Sequence, residues 1–353
     1  MTHDDPLQHA VQELARGVSL SSEAAAAAFS VLMRGDASPV RTTALLMGLR
    51  AKGETAEEVA GAAKALRLAM VRVAAEHPEQ LVDTCGTGGG QVGTLNLSTA
   101  AAFVVAGAGV PVAKHGNRSF TSRSGSADVL EALGVNIQLS ADRAAAVLRE
   151  AGLVFLFAPG FHPAMRHVGP VRKELGIPTI MNLLGPLVNP AGVTRQVIGV
   201  ADQQRAPLVA AALSLLGAVH ALVLHAEVGM DEVSPCGRTR VWEVCGGTVT
   251  QWTIEPDRVG LGCDDLDGLA GGEPAENALR IERLLAGRDS TPAIRCAVLL
   301  NAAAGLYVSG RGWTFEESVE RATAALQTGA GHEALERLRR AAPAEPAREA
   351  RGR

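Results

Sequence analysis

From Thr84 to Ala127 the chain carries no Asp or Glu, yet it holds Lys114, Arg118 and Arg123, with His115 beside the first of them. This cationic stretch lies inside a chain whose formal net charge is -4. The same window contains two runs dense in Gly, Ser, Thr and Asn: GTGGGQVGTLNLST (Gly86 to Thr99) and KHGNRSFTSRSGS (Lys114 to Ser126). Such residues leave backbone N–H groups free to point inward, and a turn that runs into a helix N-terminus concentrates unpaired donors and positive dipole. Phosphate groups need that environment. One glycine-rich turn can simply join two elements. Two acid-free turns, each following an expected strand, should meet at the carboxyl edge of the sheet, where open α/β folds bind ligands.

The phosphate compound is not a dinucleotide. Gly88, Gly90 and Gly93 spell G-x-G-x-x-G, but a dinucleotide site needs an acidic residue about 20 positions further on for the ribose hydroxyl, and none comes before Asp128. A P-loop run, G-x-x-x-x-G-K-[ST], is also absent. The counter-element is an acidic doublet, Asp231 and Glu232, in VGMDEVSP directly after the apolar run HALVLHA. Alone it could be a solvated surface turn. On the same sheet edge as a phosphate cradle it is suited to Mg2+, which bridges carboxylates and substrate phosphates through oxygen ligands. Arg172, with Arg166 and Lys173 in PAMRHVGPVRKELG, and the residues His115 and His162 have no role fixed by pattern; a histidine is commonly a structural hydrogen bonder.

The elements that would position these groups follow from periodicity. Up to about Ala75 the chain reads as consecutive short helices. Ser21 to Gly35 and Thr55 to Met70 open on Ser or Thr, carry Glu in the first turn and repeat apolar residues at three- and four-residue spacing. From Gln80 onward, short β-prone runs alternate with capped helical runs. The expected strands are Leu81–Cys85, Pro111–His115, Leu153–Ala158, Arg195–Ala201 and His220–Ala226. Helices are expected near Thr99–Gly107, Ser126–Leu133, Ala141–Glu150, Ala206–Leu216, Pro292–Tyr307 and Phe315–Thr328. The fold class is α/β: a large domain with a central, mainly parallel sheet flanked by helices, plus a small all-helical domain. The domains are expected over 1–77 and 78–340, with a polar tail over 341–353 expected to be disordered.

Composition excludes other classes. With 33 basic against 37 acidic residues in 353, no extended surface of one sign is available for nucleic acid or membrane. No apolar run spans a bilayer, and the acidic N-terminus MTHDDPLQHA is unlike a secretory signal, so a cytoplasmic protein is expected. Five cysteines without a C-x-x-C pair read as reduced thiols.

Taken together, GTGGGQVGTLNLST, VAKHGNRS, SGSADVLEALG, FHPAMRHVGPVRKELG, NLLGPLVNP and MDEVSP resemble the anthranilate phosphoribosyltransferase family of tryptophan biosynthesis, over nearly the whole chain. KHGNRS together with NLLGPLVNP is the most specific part. The resemblance implies the nucleoside phosphorylase/phosphoribosyltransferase-like fold, in which residues about 172–190 join the helical domain, and a homodimer formed through that domain. It implies Mg2+ and two substrates, anthranilate and phosphoribosyl pyrophosphate. Gly86, Gly89, Gly90, Thr94, Asn96, Leu97, Ser98 and Thr99 would hold the phosphoribosyl pyrophosphate, with Lys114, Asn117, Arg118, Ser119, Ser122 and Ser126 closing round it. Ser98, Asp231 and Glu232 would serve the metal. Gly86, Asn117, His162 and Arg172 would bind anthranilate. Lys114, His115 and Arg172 would be the catalytic set, with His115 or water taking the amine proton. The family run GTGGD reads GTGGG here, so Gly90 lacks the family's carboxylate. A pyrimidine-nucleoside phosphorylase would need a Lys-x-Ser-Gly-Arg signature that is missing, and a non-catalytic, nucleic-acid-binding relative would need a broad basic surface.

Overall fold

The computed structural model describes residues 5–90, 92–119, 123–288 and 290–344. Four helices open the chain: α1 (Pro6–Ala15), α2 (Ser22–Arg34), α3 (Pro39–Lys52) and α4 (Ala56–Ala69). Asp5, Ser21, Ser38 and Thr55 cap them, each side chain accepting first-turn N–H groups that have no intrahelical partner. The α4 cap is a reciprocal Thr55/Glu58 box. Its glutamate is fully buried, because Glu58 also accepts Leu20 N at 2.9 Å and Lys52 Nζ at 3.0 Å. One side chain thus caps a helix and ties two loops of the bundle together. Helices α2 and α4 pack so closely that a Cβ on Gly61 would fall 2.3 Å from Ser22 O.

The alternating region then follows: β1 (Val82–Gly86), α5 (Leu97–Gly107), β2 (Val112–Gly116), α6 (Ser126–Ala132), α7 (Ala141–Ala151), β3 (Leu153–Phe157), α8 (Ala158–Phe161), α9 (Gly169–Leu175), α10 (Met181–Leu184), β4 (Arg195–Gly199), α11 (Ala206–Leu215) and β5 (His220–Ala226). A hairpin of β6 (Thr239–Cys245) and β7 (Thr248–Ile254) comes next, then α12 (Pro274–Leu285), α13 (Pro292–Tyr307), α14 (Phe315–Gln327) and α15 (Ala330–Ala341). The strands form one seven-stranded sheet in the order β3-β2-β1-β4-β5-β6-β7, parallel from β3 to β5 and antiparallel across β5-β6-β7. The hairpin was not among the expected strands, although Gly246 and Gly247, at φ 56° and 83°, make the two-residue turn that such a hairpin requires. Helices α12 and α15 were not expected either.

Parallel pairing puts the carboxyl ends of β1, β2, β4 and β5 on one edge, with Gly86 opposite Gly199 and Gly199 opposite Leu224. One face of the sheet is covered by α5, α7 and α12–α15 around Phe103, Val105, Leu300 and Leu335. The other face packs against α11, and that apolar cluster runs on through Val168–Val188 into the four N-terminal helices. The chain stays ordered past Ala341, contrary to a disordered tail beginning there. Pro343 bridges Val135, and Ala344 N donates to Gly134 O at 3.1 Å, because the end of α15 is clamped beside the loop after α6. Residues 345–353 lie outside the described residues.

Candidate active site

The first glycine-rich run leaves β1 at Gly86, turns through Gly88 and Gly89 at φ 67° and 87°, and enters α5 behind Asn96. Asn96 does not cap that helix. Its amide instead joins the two runs, donating to Ser124 O at 2.9 Å while its oxygen accepts Ser124 Oγ at 3.2 Å and Asn277 Nδ2 at 3.1 Å. Thr99 Oγ1 adds a second link, to Ser126 Oγ at 3.1 Å. The side chain of Leu97 is buried in the core, so only its backbone can face a ligand.

The acidic doublet closes onto this turn. Glu232 Oε1 accepts Ser98 N at 2.9 Å and its Oε2 accepts Thr94 Oγ1 at 3.0 Å. Asp231 receives the N–H of Gly88 and rests on three glycines. A Cβ on Gly199 would lie 1.5 Å from Asp231 O, one on Gly90 2.7 Å from its Oδ1, and one on Gly86 3.4 Å from its Oδ2. Burial raises both carboxyl pKa values, and in Glu232 the neighbouring Asp231 adds to the effect, taking it to about 8. Among the described residues neither acid has a Lys or Arg within salt-bridge distance. Two buried carboxyl groups without a Lys or Arg partner, beside a serine hydroxyl, are the oxygen donor set of a divalent cation site of the Mg2+ type.

Lys114 lies between the two runs. It is 3% exposed and donates to Thr84 O, to Thr84 Oγ1 at 3.5 Å and to Ser98 Oγ at 3.2 Å. Ser98 therefore touches Lys114 through its hydroxyl and Glu232 through its N–H. Burial lowers the Lys114 pKa, and the fully buried Asp83 opposes that shift. Asp83 is itself held by His115 N at 3.1 Å and Asn189 Nδ2 at 2.8 Å, while Asn189 Nδ2 also donates to Ala113 O at 2.8 Å. The NLLGPLVNP motif is thereby fastened to β1 and β2.

His115 and His162 face each other, with Nε2 to Nε2 at 3.2 Å and ring centroids 5.1 Å apart. His115 Nδ1 meets Gly185 O at 3.1 Å. Burial pushes His115 down to about 3 and His162 to about 4, so both rings are neutral at pH 7. With both nitrogens engaged and so low a pKa, His115 is a poor proton acceptor. Arg172, on α9, is half-buried, its pKa lowered by burial, and it has no hydrogen-bond or carboxylate partner among the described residues.

Thr94, Ser98, Lys114 and Glu232 are thus linked by hydrogen bonds, Asn96 and Thr99 tie the first run to Ser124 and Ser126 of the second, and Asp231 packs against Gly86 and Gly90. Arg118 is engaged by two acids of α6. Its guanidinium bridges Asp128 at 2.6 Å and Glu131 at 2.7 Å and lies 5.6 Å over the Phe157 ring, because α6 presents both acids to it. Asn117 is exposed, its oxygen accepting Arg118 N at 2.8 Å. Ser119 is half-buried on the same loop, and Ser122 lies outside the described residues. Sequence reasoning missed Asp83, Asn189 as a side-chain ligand, and Gly199. The strand end RQVIG carried the only signal for Gly199, a glycine closing an apolar run.

Two family descriptions match the chain: the glycosyl transferase family helical bundle domain over residues 8–70 and the glycosyl transferase family a/b domain over 78–332. The chain is 49% identical to the anthranilate phosphoribosyltransferase of Rubrobacter xylanophilus, across 94% of this chain and 96% of that one. Identity to the same enzyme of Bradyrhizobium sp. is 48%, across 95% and 98%. Among solved structures, anthranilate phosphoribosyltransferase from Thermus thermophilus superposes with a TM-score of 0.87 at 45% identity, covering 93% of this chain and 98% of that one. The Saccharomyces cerevisiae enzyme in complex with PRPP and Mg does so with a TM-score of 0.86 at 30% identity, covering 96% and 98%. The chain belongs to the anthranilate phosphoribosyltransferase family.

Proposed function

We propose that the protein transfers the phosphoribosyl group of phosphoribosyl pyrophosphate to the amine of anthranilate, giving N-(5-phosphoribosyl)anthranilate and pyrophosphate. The observation that carries this reading is Ser98, which touches Lys114 on the second run and Glu232 of the acidic doublet at once. An anion cradle and a cation site then share one sheet edge, as a diphosphate–metal substrate requires.

The anthranilate nitrogen is neutral at pH 7, so it attacks C1 of the ribose with its lone pair, without a strong base. The C1–O bond to pyrophosphate breaks, and the amine proton leaves late, to water. Ser98, Asp231 and Glu232 would hold Mg2+, which supplies neutralisation of the leaving diphosphate. The positive N-terminal end of α5, with Thr94, Asn96, Thr99 and Ser126, would orient the phosphates, and Lys114 keeps positive charge beneath them. Arg172 fits the anthranilate carboxylate, since a half-buried guanidinium with an open fork makes a charge-assisted pair. The neutral His115/His162 pair would line the aromatic ring's entry.

We also infer a homodimer through the N-terminal helices. Light scattering tests it. No helix among the described residues is long and apolar enough to cross a membrane. The test of activity is loss of anthranilate fluorescence on mixing protein, anthranilate, phosphoribosyl pyrophosphate and Mg2+. Loss that persists without Mg2+, or its absence from the complete mixture, overturns the proposal.

A further inference from the structure

The cores of this protein are almost wholly aliphatic, with aromatic residues only 3% of the chain. Three of those aromatics are nonetheless gathered at the rim of the core, Phe315 buried and Trp252 and Tyr307 half-buried. Trp252 of β7, Tyr307 at the end of α13 and Phe315 at the start of α14 form a nearly equilateral triangle. Their ring centroids are 6.0 Å (Trp252–Tyr307), 5.9 Å (Trp252–Phe315) and 6.2 Å (Tyr307–Phe315) apart, and their planes are inclined by 69°, 74° and 71°. They line an open cavity of about 360 Å³ together with Glu243, Thr314 and Glu316. Tyr307 is the only tyrosine in the chain.

A carboxylate fixes the arrangement. Glu243 Oε1 accepts His220 Nε2 at 2.6 Å and Tyr307 Oη at 3.0 Å, and its Oε2 accepts Trp252 Nε1 at 2.7 Å. Two of the three rings are thereby held by their polar tips, which leaves their apolar bodies to wall the cavity. The exposed Glu316 adds a second acid, and no Lys or Arg is among the lining residues.

We infer that this cavity is a binding site for a small organic cation, an alkylguanidinium or alkylammonium group. The cavity is walled by aromatic rings and bordered by two carboxylates, Glu316 and the His220-paired Glu243; a weakly hydrated cation with apolar shoulders suits such a lining. A hard metal ion does not fit, because both Glu243 oxygens are already engaged by ring donors. An anion such as anthranilate is repelled.

The site is separate from the catalytic edge. His220 begins β5 and Ala226 ends it next to the acidic doublet, so the length of the strand, about 20 Å, lies between the two. The cation is therefore an addition to the proposed transfer reaction and not one of its substrates.

The test is a titration of the protein with butylguanidinium, with neutral butylurea as the isosteric control, following the indole N–H resonances under saturating Mg2+ and phosphoribosyl pyrophosphate. The Trp252 resonance should shift saturably with butylguanidinium, with affinity at least about tenfold above that for butylurea. Glu316→Gln, an exposed change that leaves the fold intact, should weaken the cation about threefold, a surface-charge effect. Trp252→Leu should weaken it about tenfold. Equal response to butylurea, absence of saturation, or unchanged affinity in Glu316→Gln overturns the inference, as does a shift that appears only when Mg2+ is omitted, which would place the cation at Asp231 and Glu232.

Discussion

Glu232 Oε1 accepts the backbone N–H of Ser98 at 2.9 Å, joining residues 134 positions apart. The first turn of α5 thus gives one of its donors to an acid, while Thr99 N and Ala100 N both donate to Asn96 O. Burial and the neighbouring Asp231 disfavour the charge of that acid and take its pKa to about 8, against the lowering pull of the Ser98 N–H and the Thr94 hydroxyl.

A pH dependence with a definite sign follows. The folded-state pKa of Glu232 lies above its unfolded value, so the folded protein binds the extra proton in the interval between them, and without metal its stability falls as pH rises through that interval. Mg2+ needs the ionised pair. The metal-free Tm should therefore drop between about pH 6 and about pH 8.5, and saturating Mg2+ should raise Tm more at the upper pH. Differential scanning fluorimetry reads both effects. A Mg2+ shift of the same size at both pH values, or one retained in Glu232→Gln, would remove Glu232 from the metal site.

Gly90 tests Asp231 separately. It is absent from the glycines at positive φ, so Gly90→Ala brings little backbone strain, but its Cβ would lie 2.7 Å from Asp231 Oδ1 and the carboxylate must rotate. Stability should change by less than about 0.5 kcal/mol. The Mg2+ concentration for half-maximal rate should rise roughly tenfold, the equivalent of about 1.4 kcal/mol. An unaltered Mg2+ dependence would show that Asp231 need not keep its present rotamer.

Much of this was legible before the fold was known, and what was not has a physical reason. The strands at His220–Ala226 and Leu153–Phe157 are apolar runs bounded by turns, so period and length suffice. The lack of acids around Lys114 and the doublet at Asp231 are visible as composition. Asp83 looked like an ordinary polar residue in a β-prone run, because nothing local says that its oxygens will be taken by a residue 106 positions away, Asn189. The partners of Arg118 are hidden for a related reason. Sequence counts its charge but not its partners, and α6 supplies Asp128 and Glu131 on the face it meets. The Gly246–Gly247 hairpin is readable only from turn chemistry and alternation together, since its strands are antiparallel and half-exposed and lack the continuous apolar run that marks β3 and β5.

Arg172 carries the expectation for anthranilate. Removing a guanidinium that binds a carboxylate through charge-assisted hydrogen bonds costs about 1.5–3 kcal/mol per bond, so Arg172→Ala should raise the KM for anthranilate 10- to 100-fold, by that scale. The KM for phosphoribosyl pyrophosphate should stay within about twofold, since nothing links Arg172 to the α5 turn. Arg172→Lys keeps the charge but loses the planar fork and should recover only part of the affinity. Steady-state kinetics with each substrate varied in turn decides it, and equal losses for both substrates would refute the role.

Lys114 and Asp83 present the last case, in which folding and activity should separate. Both are buried, and each side chain lies in the other's field. Lys114→Met leaves Asp83 as a buried acid with its opposing charge removed, and breaking one side of such a pair costs about 3–5 kcal/mol. Asp83→Asn keeps an acceptor for His115 N or Asn189 Nδ2 while removing the charge, so the double variant should regain most of that stability. Turnover should not return with it, because Ser98 Oγ and the phosphate cradle would still lack the cation beneath them. Urea denaturation measures the first quantity and anthranilate fluorescence the second. If the double variant recovered rate along with stability, Lys114 would be a structural counter-ion to Asp83 and nothing more.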